Sequence, residues 1–122
     1  MTAFAKSQTL PAKSSAVARL RKILQSFKQI DRDIQLESML VFFAVCESEG
    51  LTVKSLVHTS GLGESMVSRR LSDLCSQERG QLLLMAQHPT DQRRRLVFLS
   101  QNGRKVLAQI EDAMAEASET GH

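Results

Sequence analysis

The sequence predicts a mainly α-helical domain with one small β-hairpin, a winged helix-turn-helix in the order H-H-H-H-E-E-H. Three observations carry that expectation. Apolar residues recur at spacings of three and four through most of the chain. Two short helical segments flank Ser60-Gly61-Leu62-Gly63, a turn whose glycines permit an abrupt change of direction. Downstream, His88-Pro89-Thr90-Asp91-Gln92-Arg93-Arg94-Arg95 leads into a β-type run, so a hairpin with a basic tip follows the paired helices.

Each element has its own reason. Residues 1–13 contain Pro11 and no sustained period, and read as a flexible arm ahead of a single domain, 14–122. Ser14 and Ser15 are good N-caps for a helix over 14–30, in which Val17, Leu20, Ile23, Leu24, Phe27 and Ile30 share a face. Asp33 is placed to cap a second helix, Gln35 to Glu49, which is apolar on most sides and therefore central; Gly50 would end it. Thr52 caps a short helix over Val53–Thr59. The next helix, 64–76, turns Val67, Leu71 and Leu74 to the core. Leu82–Met85 and Arg95–Leu99 pair as strands, and residues 86–95 form the wing. Ser100 caps a last helix, 100–119, with Val106, Leu107, Ile110, Met114 and Ala117 on one side.

The chain has 122 residues, 42% of them hydrophobic, with five Phe and neither Trp nor Tyr, so its core must be largely aliphatic. A domain of this size buries a modest fraction of its surface, and a second copy would add burial. Residues 1–110 hold 16 Lys and Arg against 9 Asp and Glu, whereas 111–122 hold Glu111, Asp112, Glu116 and Glu119 and no base. A basic body favours a polyanionic partner.

Cys46 and Cys75 have neither zinc-ligand nor redox-pair spacing and read as reduced thiols. His58, His88 and His122 stand apart from any triad or metal pattern, which argues against an enzyme and implies no cofactor and no metal. His88 is expected to touch phosphate or nothing. With no apolar run near the roughly 20 residues of a membrane span and no secretory leader, the expected location is the cytoplasm, with the nucleoid.

The paired helices and the hairpin assign a function. In a helix-turn-helix the second helix enters the major groove. Here it presents Ser65, Met66, Ser68, Arg69 and Arg70, with Arg69 and Ser68 reading base edges, Met66 available to a thymine methyl, and Arg70 nearer phosphate. Arg93, Arg94 and Arg95 would reach the minor groove or its phosphates, with Asp91 orienting an arginine. The bland alternatives are a helix pair outside any DNA-binding fold and a solvated charged turn. Two further readings stay open: a protein-interaction module using Phe98 and the terminal helices, and a DNA-binding protein of plasmid or phage replication, partition or packaging.

From Leu51 to Gly103 the sequence resembles the MarR family of winged-helix regulators. Asp91-Gln92-Arg93 follows the family's D-x-R wing pattern, Leu99-Ser100-Gln101-Asn102-Gly103 follows its Leu-Thr-x-x-Gly helix start, and Met66-Val67-Ser68-Arg69-Arg70-Leu71 is similar to its recognition helix. The resemblance implies a transcriptional regulator, most often a repressor, that binds palindromic double-stranded DNA as a homodimer through its terminal helices. The interface residues would be Val17, Leu20, Leu24, Phe27, Val106, Ile110 and Met114. The last helix is shorter than the family's C-terminal helices, Ser76–Gln81 is longer than the usual turn, and Phe98 stands where a polar residue is common. Phenolic effectors and cysteine-based oxidant sensing occur in the family. Lack of Tyr and Trp leaves a small-molecule effector unsupported here, and Cys75 is the better redox candidate of the two thiols.

Overall fold

The computed structural model describes residues 15–120, and side chains as far as 115. The arm over 1–13, the Ser14 cap and the Ala117 side chain lie outside the described residues. The elements are α1 (Ser15–Ile30), α2 (Leu36–Glu47), β1 (Leu51–Thr52), α3 (Val53–Ser60), α4 (Glu64–Cys75), a 3-10 turn (Gln77–Arg79), β2 (Leu83–Gln87), β3 (Arg95–Leu99) and α5 (Gln101–Thr120).

The core gathers around α2, which packs against α3, α4 and β3. Val41, Phe42, Ala44 and Val45 of α2 are buried, as its nearly uniform apolarity requires. Phe27 of α1 meets Phe42 and Phe43 edge-on, at centroid distances of 5.4 Å and 5.6 Å. Edge-to-face rings add to the burial of their area. Leu56, Val67, Leu71, Leu74, Leu83, Val97 and Val106 complete the cluster, so α3, α4, the sheet and α5 share one core with α1 and α2.

That cluster corrects the expected interface. Phe27 is 0% and Val106 1% exposed within one chain, so neither side chain is available to a second copy. Both lie on the inward half of helices whose apolar stripes are wide enough to serve two surfaces.

Local signals fared unevenly. Asp33 does not cap α2; its own N–H donates to Asp31 Oδ1, and Gln35 occupies the cap position without a side-chain hydrogen bond. The helix ends at Glu47, and Gly50, with φ +84°, instead turns the chain into β1 while its N–H donates to Val97 O at 2.8 Å. That two-residue strand makes the sheet three-stranded, in the order β1-β3-β2, where a simple hairpin was expected. Two residues cannot display a period of two, so β1 leaves no pattern to read. β2 is displaced by a residue or two from the expected 82–85, and β3 falls where the sequence put it. Leu83 pairs with Leu99 and Met85 with Val97 on the inner face.

Ser100 caps α5 as expected: its Oγ accepts the Gly103 N–H at 2.9 Å and donates to Gln81 O. Gly103 sits against the chain entering β2, where a Cβ would stand 2.2 Å from Leu82 O. The start of α5 is thereby pinned to both ends of the hairpin, because Ser100 N also donates to Leu82 O.

Candidate nucleic-acid interface

Thr52 Oγ1 accepts the Ser55 N–H at 3.1 Å and starts α3, and Gly61 in the left-handed conformation ends it. Gly63 then begins α4. Leu56 and Val67 are buried between the two helices and α2, which fixes the pair as a unit. On α4, Ser65, Ser68, Arg69 and Ser72 face solvent and Met66 is half-buried. Gly63, Ser65, Met66 and Arg69 line a shallow depression of about 390 Å3 at the helix start.

Arg70 differs from expectation. It is buried, donates through Nη1 to Gln35 Oε1, and lies 3.4 Å from Asp73 Oδ2. Arg79 extends the cluster, at 3.9 Å from Asp73 and 3.4 Å from Asp31. Positions 67, 70, 71 and 74 form one helical stripe, so Arg70 shares a face with the core residues. That spacing was legible, but the charge of the residue concealed it.

The wing is closed by two backbone hydrogen bonds, Arg94 N to Asp91 O at 3.0 Å and His88 N to Arg94 O at 2.9 Å. Asp91 contacts Arg93 and Arg94, two of the arginines that follow it. Its Oδ1 accepts the Arg93 N–H at 3.1 Å, and its carboxylate lies 3.6 Å from both Arg93 Nε and Arg94 Nε. Arg93, Arg94 and Arg95 remain exposed. His88 is half-buried, and its Nδ1 is bonded within the loop.

Two clefts join these parts. One, of about 470 Å3, lies between the first turn of α3 and the wing and is lined by Thr52, Val53, Lys54, Ser55 and the three arginines. The other, of about 380 Å3, brings Arg95 beside Ser68 and Ser72 of α4. Val53 and Arg95 line both, so the exposed face of α4 runs through Arg95 into the basic cleft. Among the described residues no acidic side chain lines either one. Lys54 and Ser55 were missed by sequence reasoning; their place in the first turn of the leading helix was the available signal.

The remaining candidates are quiet. Burial, followed by the nearby carboxylates Glu49, Glu111 and Glu47, pushes the Cys46 thiol up to about 11. Burial raises Cys75 as well. A raised pKa lowers the thiolate population that oxidants attack. Among the described residues no group of three or more His, Cys, Asp or Glu could hold a metal ion, and no helix is long and apolar enough to cross a membrane. Phe98 pairs with exposed Leu84 on the outer face of the sheet and lies beside Gly50.

No protein-family model and no curated protein matches the sequence. Solved structures do match. RV1404 from Mycobacterium tuberculosis aligns with a TM-score of 0.69 at 20% identity, over 92% of this chain and 75% of that one. A MarR family transcription regulator, SP03579, aligns at 0.62 and 18% identity over 98% and 73% of the two chains. A MepR variant from S. aureus, bound to an oligodeoxyribonucleotide, aligns at 0.65 and 20% identity over 98% and 80%. The order of elements, the three-stranded sheet and these alignments agree: the chain has the winged-helix fold found in MarR-family transcription regulators.

Proposed function

We propose that this chain is a sequence-specific, double-stranded DNA-binding transcriptional regulator, acting as a repressor by occupying promoter DNA. Helix α4 enters the major groove with Ser65, Met66, Ser68 and Arg69 toward the bases. The wing over 86–95 lies on the minor groove or its flanking phosphates. One observation carries the reading: two adjoining clefts, which share Val53 and Arg95 and among the described residues have no acidic lining side chain, lead from Ser68 and Ser72 past Arg95 to Lys54, Arg93 and Arg94. Phosphate neutralisation by such a surface supplies affinity, and base contacts supply discrimination. The oligodeoxyribonucleotide held by the MepR variant, which has the same fold, supports it. The protein works in the cytoplasm, beside the nucleoid, and the reading requires no small-molecule effector.

The working unit is a homodimer on a palindromic site. Val17, Leu20 and Leu24 on α1 are 63%, 59% and 47% exposed, and Met114 on α5 is 50% exposed. Helices α1 and α5 pack together, so these apolar side chains belong to neighbouring elements; Ile110 is half-buried at their margin.

Selection of genomic fragments by the purified protein, at about physiological salt where nonspecific binding is weak, tests the reading. The expected product is a palindrome with half-sites about one helical turn apart. Recovery of nothing above competitor DNA by folded protein overturns it. The outer-face pair Leu84 and Phe98 favours a protein-interaction module as the second reading. The double charge reversal Arg93→Glu with Arg94→Glu abolishes DNA binding under the first reading and leaves partner binding intact under the second.

A further inference from the structure

His88 lies at the base of the wing, where β2 gives way to the loop. Its Nδ1 is 3.2 Å from the backbone N of Thr90 and 3.2 Å from that of Asp91, with Thr90 Oγ1 at 3.3 Å. Backbone amides only donate, so Nδ1 accepts and the ring proton resides on Nε2. The imidazole therefore does what an Asn or Asp side chain does when it bonds the amide two residues on and forces a turn. A second turn of the same kind follows at once, since Asp91 Oδ1 accepts the Arg93 N–H at 3.1 Å. The two are in series. His88 sets the Asp91 backbone, and Asp91 then holds the Arg93 amide and stands 3.6 Å from the Arg93 and Arg94 guanidinium Nε atoms.

We infer that His88 is a positioning residue of the wing: by accepting the Thr90 and Asp91 amides it holds Asp91 where Asp91 can aim Arg93 and Arg94 at nucleic-acid phosphate. This rests on the DNA-binding reading and adds to it a residue that need not touch DNA itself. The loop contains Pro89 and no glycine, so its path is constrained on one side by the proline ring and on the other by the imidazole. Without the acceptor, the Thr90 and Asp91 amides turn to water and the arginines must be ordered at the moment of binding, which lowers affinity.

The test compares His88→Ala with His88→Asn, whose Oδ1 occupies the same place on the side chain as Nδ1 and also accepts. Two measurements are made on full-length protein whose fold is verified by circular dichroism. One is hydrogen exchange at the Thr90 and Asp91 amides. The other is anisotropy-detected binding to a mixed-sequence 30-base-pair duplex at about 50 mM salt, a condition in which phosphate contacts dominate. His88→Ala should speed exchange at both amides and weaken binding roughly three- to tenfold, the scale of one net hydrogen bond. His88→Asn should restore both. Unchanged exchange in His88→Ala overturns the inference, and so does an Asn variant that behaves like Ala. Faster exchange with unaltered DNA affinity also overturns it. Arg93→Glu measured alongside then separates the causes: if it too binds normally, the wing's role on DNA has failed and not only His88's.

Discussion

Arg70 of α4 donates to Gln35 Oε1 at the start of α2, so a charged side chain of α4 points inward and joins two helices. Its Nη2 lies 3.4 Å from Asp73, but its buried Nε has no partner. A buried ion pair with an unsatisfied donor gains little over an apolar residue of similar size, whereas removing only one partner leaves a charge stranded. Arg70→Met combined with Asp73→Asn, which removes both charges together, should therefore stay within about 1 kcal/mol of the parent in urea denaturation. Asp73→Ala should cost about 1–3 kcal/mol, the penalty for an underpaired buried group. Arg70→Met should also leave the salt dependence of DNA binding unaltered. A shallower slope would return Arg70 to the phosphate backbone.

Arg69 and Arg93 separate the two modes of contact. Arg69 is exposed on the outer face of α4, next to the depression lined by Ser65 and Met66. Arg69→Ala should weaken binding to the selected site by about 1–3 kcal/mol and relax discrimination at one base position. Arg93→Ala should weaken all sequences alike and reduce the salt slope by about one phosphate contact. Titrations at several salt concentrations, with selected and scrambled duplexes, check both. Equal losses on both duplexes for Arg69→Ala would remove α4 from the bases.

Gly103 is required by close approach and not by conformation, since it lies within α5 and has no positive φ. Its missing side chain leaves room for Leu82 O, 2.2 Å from where a Cβ would be, and that carbonyl also accepts the Ser100 N–H. In an open helix Gly→Ala stabilises, by roughly 1 kcal/mol. Here overpacking reverses the sign, and Gly103→Ala should destabilise by about 1–3 kcal/mol in thermal or chemical unfolding. A stabilised variant would mean that α5 does not dock on the start of β2 in this way.

The elements with long periodic patterns were legible: α1, α2, α4 and α5 came from spacing, and Thr52 and Ser100 cap where their hydroxyls predicted. The ion pairing of Asp91 with the wing arginines could be expected because the partners are close in sequence. What escaped depends on contacts far apart in the chain. β1 exists because Leu51 and Thr52 meet Val97 and Leu96, and two residues carry no period. Arg70 was assigned by its charge, although its register with Val67, Leu71 and Leu74 placed it inward. Phe27 and Val106 were assigned to an interface because a stripe shows only that a face is apolar, not which neighbour covers it.

Cys46 offers a chemical check on the packing of α2. Burial, then Glu49, Glu111 and Glu47, holds its thiol up to about 11 against an ordinary 9.0. At pH 8 the folded protein should carry on the order of a hundredfold less Cys46 thiolate than an unfolded chain, so iodoacetamide should label this residue slowly until denaturant is added. Linkage has a definite sign. Between 9.0 and about 11 the unfolded state loses the proton while the folded state keeps it, so stability falls as pH rises through that window. Cys46→Ala should flatten this part of the decline. Rapid labelling of native protein would place Cys46 outside the packed face of α2.

The terminal helices present two apolar surfaces with opposite sensitivities. Phe27 and Val106 face inward, while Val17, Leu20, Leu24 and Met114 face outward. A charge on the outward set meets water in a monomer and desolvation in a dimer, so it acts on assembly and not on folding. Leu20→Glu and Met114→Glu should retain helical circular dichroism yet shift light scattering from the dimer mass to the monomer mass. Loss of dimer should also weaken binding to the two-half-site palindrome far more than to a single half-site, because the second half-site no longer engages as an intramolecular event. Phe27→Glu should instead unfold the chain. If Leu20→Glu and Met114→Glu together leave the dimer mass unchanged, the copies associate through some other surface. If the parent protein is monomeric at micromolar concentration, the exposed stripe serves a different partner.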